Sequence, residues 1–250
     1  MNRFTGLVLL IIFFVSVSPK SIIAQHQPDP VNQELQLGIE LFEKGLYAEA
    51  ASFFDEARGS ESLNSEIQST AHYFFARTQI WLDSTRMDLE VDKYVAEHPH
   101  SRFSSRLLKE LAYQHKQMGE YSEAVERGVQ ALNYPQSNRE KQELYYNIAE
   151  NAISDGDYDT ARKYFLQLSD EFRRSEWSPR ALYARGRLYL EEEKYAEASD
   201  AFELLRERHP FDEMTRRIGT ALGESYYQQR RYEDAIEAFE SVIHHLDEEN

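Results

Sequence analysis

Near its end the chain reads Leu222-Gly-Glu-Ser-Tyr226 and then Tyr232-Glu-Asp-Ala-Ile-Glu-Ala-Phe239, and this stretch decides the fold. Gly223 and Ala235 are small where Tyr226 and Phe239 carry rings, the alternation that two closely crossing helices require. The same order stands 37 residues earlier as Gly186, Tyr189, Tyr195, Ala198 and Phe202. Working outward, the tyrosine that opens the second half recurs at Tyr47, Tyr121, Tyr158, Tyr195 and Tyr232, in steps of 74, 37, 37 and 37 residues. The missing member falls at Ser84, 37 residues from each neighbour, so a sixth, eroded copy stands in phase. A fixed period of this length marks a repeat array whose units bury their apolar faces against one another. The expected fold is all-α, a solenoid of six helical hairpins.

In phase, the array over residues 26–250 divides near 31–67, 68–104, 105–141, 142–178, 179–215 and 216–250. The eighth residue of each unit reads Gly38, Phe75, Ala112, Ala149, Gly186 and Gly223, and the twentieth reads Ala50, Met87, Ala124, Ala161, Ala198 and Ala235. The twenty-fourth reads Phe54, Val91, Gly128, Phe165, Phe202 and Phe239, rings that fill the groove between helices. Gly45, Gly119 and Gly156 stand at the turn, where glycine supplies the left-handed conformation that ends a helix. Glu193 and Arg230 take that place later, so their turns are expected to be tighter or strained. Pro99, Pro135 and Pro210 close the second helices. In the second unit Leu82, Ser84, Met87, Val91 and Tyr94 replace the small and aromatic residues of the pattern. That hairpin is expected to splay and to change the local curvature.

The first 25 residues differ in kind. Arg3 precedes an apolar run from Leu7 to Val17, 11 residues long, against the ~20 needed to span a bilayer. A secretory leader over residues 1–25 is expected, cleaved after Ala24, with an uncleaved anchor as the alternative. An exported protein of the periplasm or cell envelope follows from it. The chain holds no cysteine, which excludes disulfides, thiolate metal sites, a cysteine nucleophile and a lipid-bearing cysteine. Its formal charge is −16; without Arg3 and Lys20 of the leader, 26 basic residues face 44 acidic ones. Such a balance argues against nucleic-acid or anionic-membrane binding.

The order Leu222-Gly223-x-x-Tyr226, Ala235-x-x-x-Phe239, with Gly186-x-x-Tyr189, Ala198-x-x-x-Phe202 and Pro210, resembles the tetratricopeptide repeat from Val31 onward. The resemblance implies a right-handed α-solenoid that acts as an interaction scaffold rather than an enzyme. The period of 37 rather than 34, with its Tyr134-Pro135-x-Ser137 connection, is similar to repeats of bacterial envelope proteins. These are the outer-membrane protein assembly lipoprotein and the periplasmic coordinator of the Tol-Pal system. The chain departs from the first by lacking a lipobox cysteine and from the second by lacking N-terminal coiled-coil heptads.

The resemblance also implies which residues line the concave face: the second, fifth, ninth, twelfth and thirteenth of each unit. The first two units then contribute Asn32, Leu35, Ile39, Phe42 and Glu43, and Ser69, His72, Ala76, Gln79 and Ile80. The later units place Arg106, Lys109, Tyr113, Lys116, Tyr146, Arg180, Tyr183, Arg187, Arg217 and Tyr227 there. Cations beside rigid aromatic area suit a protein or peptide partner with an acidic segment. Alternatively these cations only pair with Glu143, Glu150, Glu191 and Glu224 on adjacent helices. The family's clamp for C-terminal carboxylates is not implied, because Tyr113 and Tyr146 stand where it needs asparagine.

His98 with His100, and His244 with His245, are close histidine pairs without further ligands nearby in sequence, so no metal or cofactor is expected. Neither a G-x-S-x-G elbow, an H-E-x-x-H motif nor a glycine-rich phosphate loop occurs. The last helix carries Ile236, Phe239, Val242, Ile243 and Leu246 without a polar cap after it, which suits self-association or a longer array. The expected function is an exported interaction scaffold. The alternatives are a structural or oligomerising segment of a longer repeat protein, and a regulatory subunit or carbohydrate-binding module of an envelope enzyme.

Overall fold

The computed structural model describes residues 30–60 and 63–248; the expected leader lies outside the described residues. Helices follow one another throughout: α1 Pro30–Glu43, α2 Tyr47–Gly59, α3 Ser65–Leu82, α4 Met87–Glu97, α5 Arg102–Met118, α6 Tyr121–Ala131 and α7 Asn138–Asp155. Then come α8 Tyr158–Glu171, α9 Trp177–Glu191, α10 Tyr195–Arg208, α11 Glu213–Arg217, α12 Gly219–Gln228 and α13 Tyr232–Glu248. Each packs mainly on its chain neighbours, as in a helical solenoid.

Five of the six hairpin turns close in one way. Tyr47, Tyr121, Tyr158, Tyr195 and Tyr232 are the first residues of α2, α6, α8, α10 and α13. The N–H just before each tyrosine donates to a carbonyl five residues back: Leu46 to Leu41 at 3.0 Å, Glu120 to His115 and Asp157 to Ala152 at 2.9 Å. Lys194 to Tyr189 at 2.8 Å and Arg231 to Tyr226 at 2.9 Å complete the set. This bond requires a left-handed residue in between. Gly45, Gly119 and Gly156 supply it with φ of 76°, 79° and 83°. Glu193 and Arg230 adopt it as well, at 57° and 63°, so the expected strain is present there.

The crossings explain the small residues. A Cβ at Gly38, Gly186 or Gly223 would come within 2.8, 2.4 and 2.6 Å of the rings of Phe54, Phe202 and Phe239. Glycine therefore lets each ring lie flat on the first helix of its own unit. Phe54, Phe165 and Phe202 are fully buried, each worth roughly 1.5–3 kcal/mol of apolar burial.

Pro-x-Ser and Pro-x-Asp connections stop one hairpin and start the next. After Pro99, Pro135 and Pro210, the side chains of Ser101, Ser137 and Asp212 accept from the backbone N–H of Phe103, Glu140 and Met214 at 3.1, 3.3 and 2.8 Å. Ser137 forms a full capping box, since Glu140 accepts in return from the Ser137 backbone N–H at 2.9 Å. In the sixth unit the first helix is interrupted at Ile218, where Gly219 presses on α13: a Cβ there would meet Val242 at 2.3 Å.

The second unit departs as expected, and further. Asp83 replaces the glycine turn with a side-chain turn, accepting from the Thr85 N–H at 2.9 Å and the Thr85 hydroxyl at 2.6 Å. As a result α4 begins at Met87, three residues past the in-phase Ser84. The two helices of this hairpin approach each other over less of their length than those of any other, and α5 packs on both α3 and α4. Buried charges fill the space. Glu90, 1% exposed, takes Arg58 at 3.1 Å, Lys93 at 3.0 Å and Arg86 at 3.4 Å. Burial opposes its charge, yet these cations hold its carboxyl below the ordinary range. Buried His115 spans Glu120 at 2.7 Å and Asp88 at 3.1 Å, so it joins α5 to both α4 and α6 as a packing residue.

Ile236 and Phe239 on α13 are 57% and 38% exposed, and the side chains of Ile243 and Leu246 lie outside the described residues. Among the described residues no helix is long and apolar enough to cross a membrane.

Candidate functional site

Eight of the ten residues expected on the groove from the later units line two cavities. Arg106, Lys109, Tyr113 and Lys116 of α5 line one cavity of about 610 Å³ together with Glu140, Leu144, Asn147 and Asn151 of α7. Tyr146, Arg180, Tyr183 and Arg187 line a second, of about 450 Å³, between α7 and α9, with Met214 of α11 at its edge. Arg217 lies outside both linings, but its guanidinium sits 5.9 Å from the centre of the Tyr183 ring beside the second cavity. Tyr227 lines neither; it is 58% exposed and meets Tyr232 edge to face at 5.7 Å. Two adjacent cavities thus share α7 as their common wall.

The cations fall into two groups. Arg106 pairs with Glu110 at 3.2 Å, Lys109 with Glu140 at 3.1 Å, and Arg187 loosely with Glu191 at 3.9 Å. Of the four carboxylates expected as partners only Glu191 takes that role, while Glu110 and Glu140 were not foreseen. Lys116, Arg180 and Arg217 have no carboxylate partner among the described residues; Arg180 instead lies 5.3 Å from the Trp177 ring centre. Tyr146 packs on Trp177 at 4.9 Å and Phe165 at 5.7 Å, and burial beside Glu150 pushes its hydroxyl above the ordinary range. It forms wall more than rim. Tyr113, 52% exposed, offers its face freely.

In the first two units the concave-face assignment needs correction. Leu35 and Phe42 are buried in α1, and in α3 so are His72, Ala76, Gln79 and Ile80, at 7% exposure or less. The accessible stripe of α3 is Thr70, Phe74, Arg77 and Trp81, displaced by about one residue from the expected positions. One residue is roughly 100° of rotation about a helix axis, enough to exchange buried and open faces. α3 packs directly on α5. Arg77 accordingly pairs with Glu110 at 2.6 Å. Trp81 then stands between Tyr47, stacked at 6.2 Å, and Tyr113 at 6.5 Å, and carries the aromatic line toward the N-terminal units. The repeat phase could not reveal Trp81, which stands outside the five positions expected to face the groove.

Two further residues escaped the pattern. Asn147 and Asn151 face the first cavity one helical turn apart, and the buried Asn151 Oδ1 has no hydrogen-bond partner. The reading of His98 as an isolated loop histidine is also corrected, since the fold brings it to His72 and Glu97. The side chains of His244 and His245 lie outside the described residues.

Comparison with known proteins agrees with the fold. Residues 142–170 match the tetratricopeptide repeat, and residues 177–249 match the YfiO family of outer membrane lipoproteins. No curated protein matches the sequence. Among solved structures, the C-terminal part of a repeat protein from Cytophaga hutchinsonii aligns at 16% identity with a TM-score of 0.52, over 84% of this chain and 78% of that one. A tetratricopeptide repeat protein from Parabacteroides merdae aligns at 16% identity and TM-score 0.50, over 85% and 78%. YrrB, described as a repeat protein with an unusual peptide-binding site, aligns at 16% and 0.50, over 77% and 92%. The fold is that of tetratricopeptide-repeat proteins, and the segment over residues 142–170 matches the repeat itself. Its last third is similar to repeats of an envelope lipoprotein, although the sequence holds no cysteine to carry a lipid. Repeats of this kind typically serve as non-catalytic scaffolds for protein–protein contact.

Proposed function

We propose that the chain is an exported interaction scaffold of the cell envelope, and that the paired cavities along α5, α7 and α9 bind an extended, partly acidic peptide segment of an envelope partner. One observation carries this reading. In a chain of formal charge −16, Lys116, Arg180 and Arg217 form no ion pair among the described residues and stand near Tyr113 and Tyr183 on one run of first helices. An acidic peptide supplies what these cations lack, and the tyrosines add rigid contact area at low entropic cost. The apolar run from Leu7 to Val17 and the similarity to an outer membrane lipoprotein over residues 177–249 support export and an envelope setting. YrrB, a repeat protein described by its peptide-binding site, offers an analogy for a groove of this kind.

Extended peptides of graded acidity, read by fluorescence anisotropy, test the proposal. Affinity should rise with the number of carboxylates and fall with salt. Lys116→Glu with Arg180→Glu should weaken binding about 100-fold, taking about 1.5 kcal/mol for each charge-assisted contact, with helicity unchanged. Lys109 and Arg187 are poorer probes because each already has a carboxylate. Binding indifferent to peptide acidity, or to the double reversal, would overturn the reading.

A further inference from the structure

We propose that His72, Glu97 and His98 form a binding site for a divalent transition-metal ion of the zinc class at the open end of the second hairpin. One ligand atom from each lies within 4.8 Å of the other two. His72 comes from α3, Glu97 is the last residue of α4, and His98 is the residue that caps it. His72 Nδ1 stands 3.2 Å from Glu97 Oε2, and the two imidazoles meet edge to face at 5.7 Å. Two imidazoles and one carboxylate are a donor set that zinc takes with its remaining position left to water.

The surroundings suit an ion. These three residues border a cavity of about 510 Å³, which leaves space for metal-bound water, and Ser69 Oγ lies 3.5 Å from His98 Nδ1. His72 is 7% exposed and its Nδ1 faces Glu97, so the ring nitrogen nearest the other two ligands is already aimed at them. Arg58 and Lys93 border the same cavity and would oppose a cation if free. Both are engaged: Arg58 by Asp55 at 2.7 Å and Glu90 at 3.1 Å, Lys93 by Glu90 at 3.0 Å.

The position has a mechanical sense. This hairpin lacks the left-handed turn that closes the other five, and its two helices approach each other over less of their length than those of any other. An ion held jointly by α3 and the end of α4 would add a link between the two helices beside the buried Tyr94. The stabilisation would grow with free metal, as for any ligand bound only by the folded state.

The test is titration of Zn²⁺ by calorimetry, and of Co²⁺ by visible absorption, into the purified full chain carrying His244→Gln and His245→Gln to remove the other histidine pair. One ion should bind per chain, with the absorption bands of a low-coordinate Co²⁺ site, and Zn²⁺ should raise the melting temperature. Glu97→Gln and His98→Gln alter side chains that reach solvent and should leave helicity intact while weakening affinity at least about tenfold. His100→Gln, two residues along but outside the cluster, should bind as before. Failure to saturate at one ion per chain would overturn the proposal. So would binding that survives loss of both Glu97 and His98, or binding lost equally on replacing His100.

Discussion

Replacing Glu193 and Arg230 by glycine should stabilise the protein, and the size of the gain follows from two opposed terms. Both residues hold left-handed backbone at φ 57° and 63°, which costs an L-residue about 1–2 kcal/mol. Glycine removes that cost but gives the unfolded chain more freedom, returning about 0.4–1 kcal/mol. Both side chains are exposed and make no ion pair among the described residues, so little else is lost. The net gain is about 0.5–1 kcal/mol at each site. The two turns belong to different hairpins, so the gains should add to about 1–2 kcal/mol, or about 2–8 °C in melting temperature. Urea unfolding followed by circular dichroism measures this directly. Gly156→Ala is the mirror control: its φ is 83° and an added Cβ meets nothing within 4 Å, so its expected loss of about 1 kcal/mol is purely backbone. Glycine variants no more stable than the parent, with an unchanged urea slope, would refute the claim that these turns carry strain.

Two more outcomes follow from packing and titration. Gly186→Ala puts a Cβ 2.4 Å from the fully buried Phe202 ring and should cost about 1–3 kcal/mol in the same assay, while Gly59→Ala, with open space around it, should cost nothing; equal effects would sink the crossing argument. The Glu140 carboxyl is held down to about 2, first by the Ser137 backbone N–H and then, against some desolvation, by the Ser137 hydroxyl and Lys109. A depressed folded pKa means stability present above the unfolded value near 4.5 and lost as pH falls toward 2. Glu140→Gln should therefore flatten acid destabilisation between pH about 4.5 and 2, modestly, since the side chain is 48% exposed; a pH profile identical to the parent's would show that the cap does not titrate with folding.

Much of the architecture was legible because a repeat protein makes its contacts locally. The glycines at 38, 186 and 223 announced their crossings with Phe54, Phe202 and Phe239, and the tyrosine series marked where five second helices begin. Even the strain at Glu193 and Arg230 could be foreseen from the absence of glycine. The groove was legible only where the phase holds. Arg106, Tyr113, Arg180 and Arg187 stand on the open face as expected, while His72 and Ile80 do not. Which cations would be neutralised was not legible. Arg106 chose Glu110 on its own helix and Lys109 chose the capping residue Glu140, choices that depend on side-chain reach rather than on period.

By itself, then, the sequence determined the class of fold, the length of the unit, the left-handed turns and the close crossings, because each depends on residues within one repeat or its neighbour. Tertiary structure alone decided how far α3 turns about its axis, which of the basic residues stay unpaired, and that His72, Glu97 and His98 converge. Those outcomes depend on the volume and shape of the surrounding helices. A rotation of about one residue is enough to carry a histidine from the expected groove into a buried cluster.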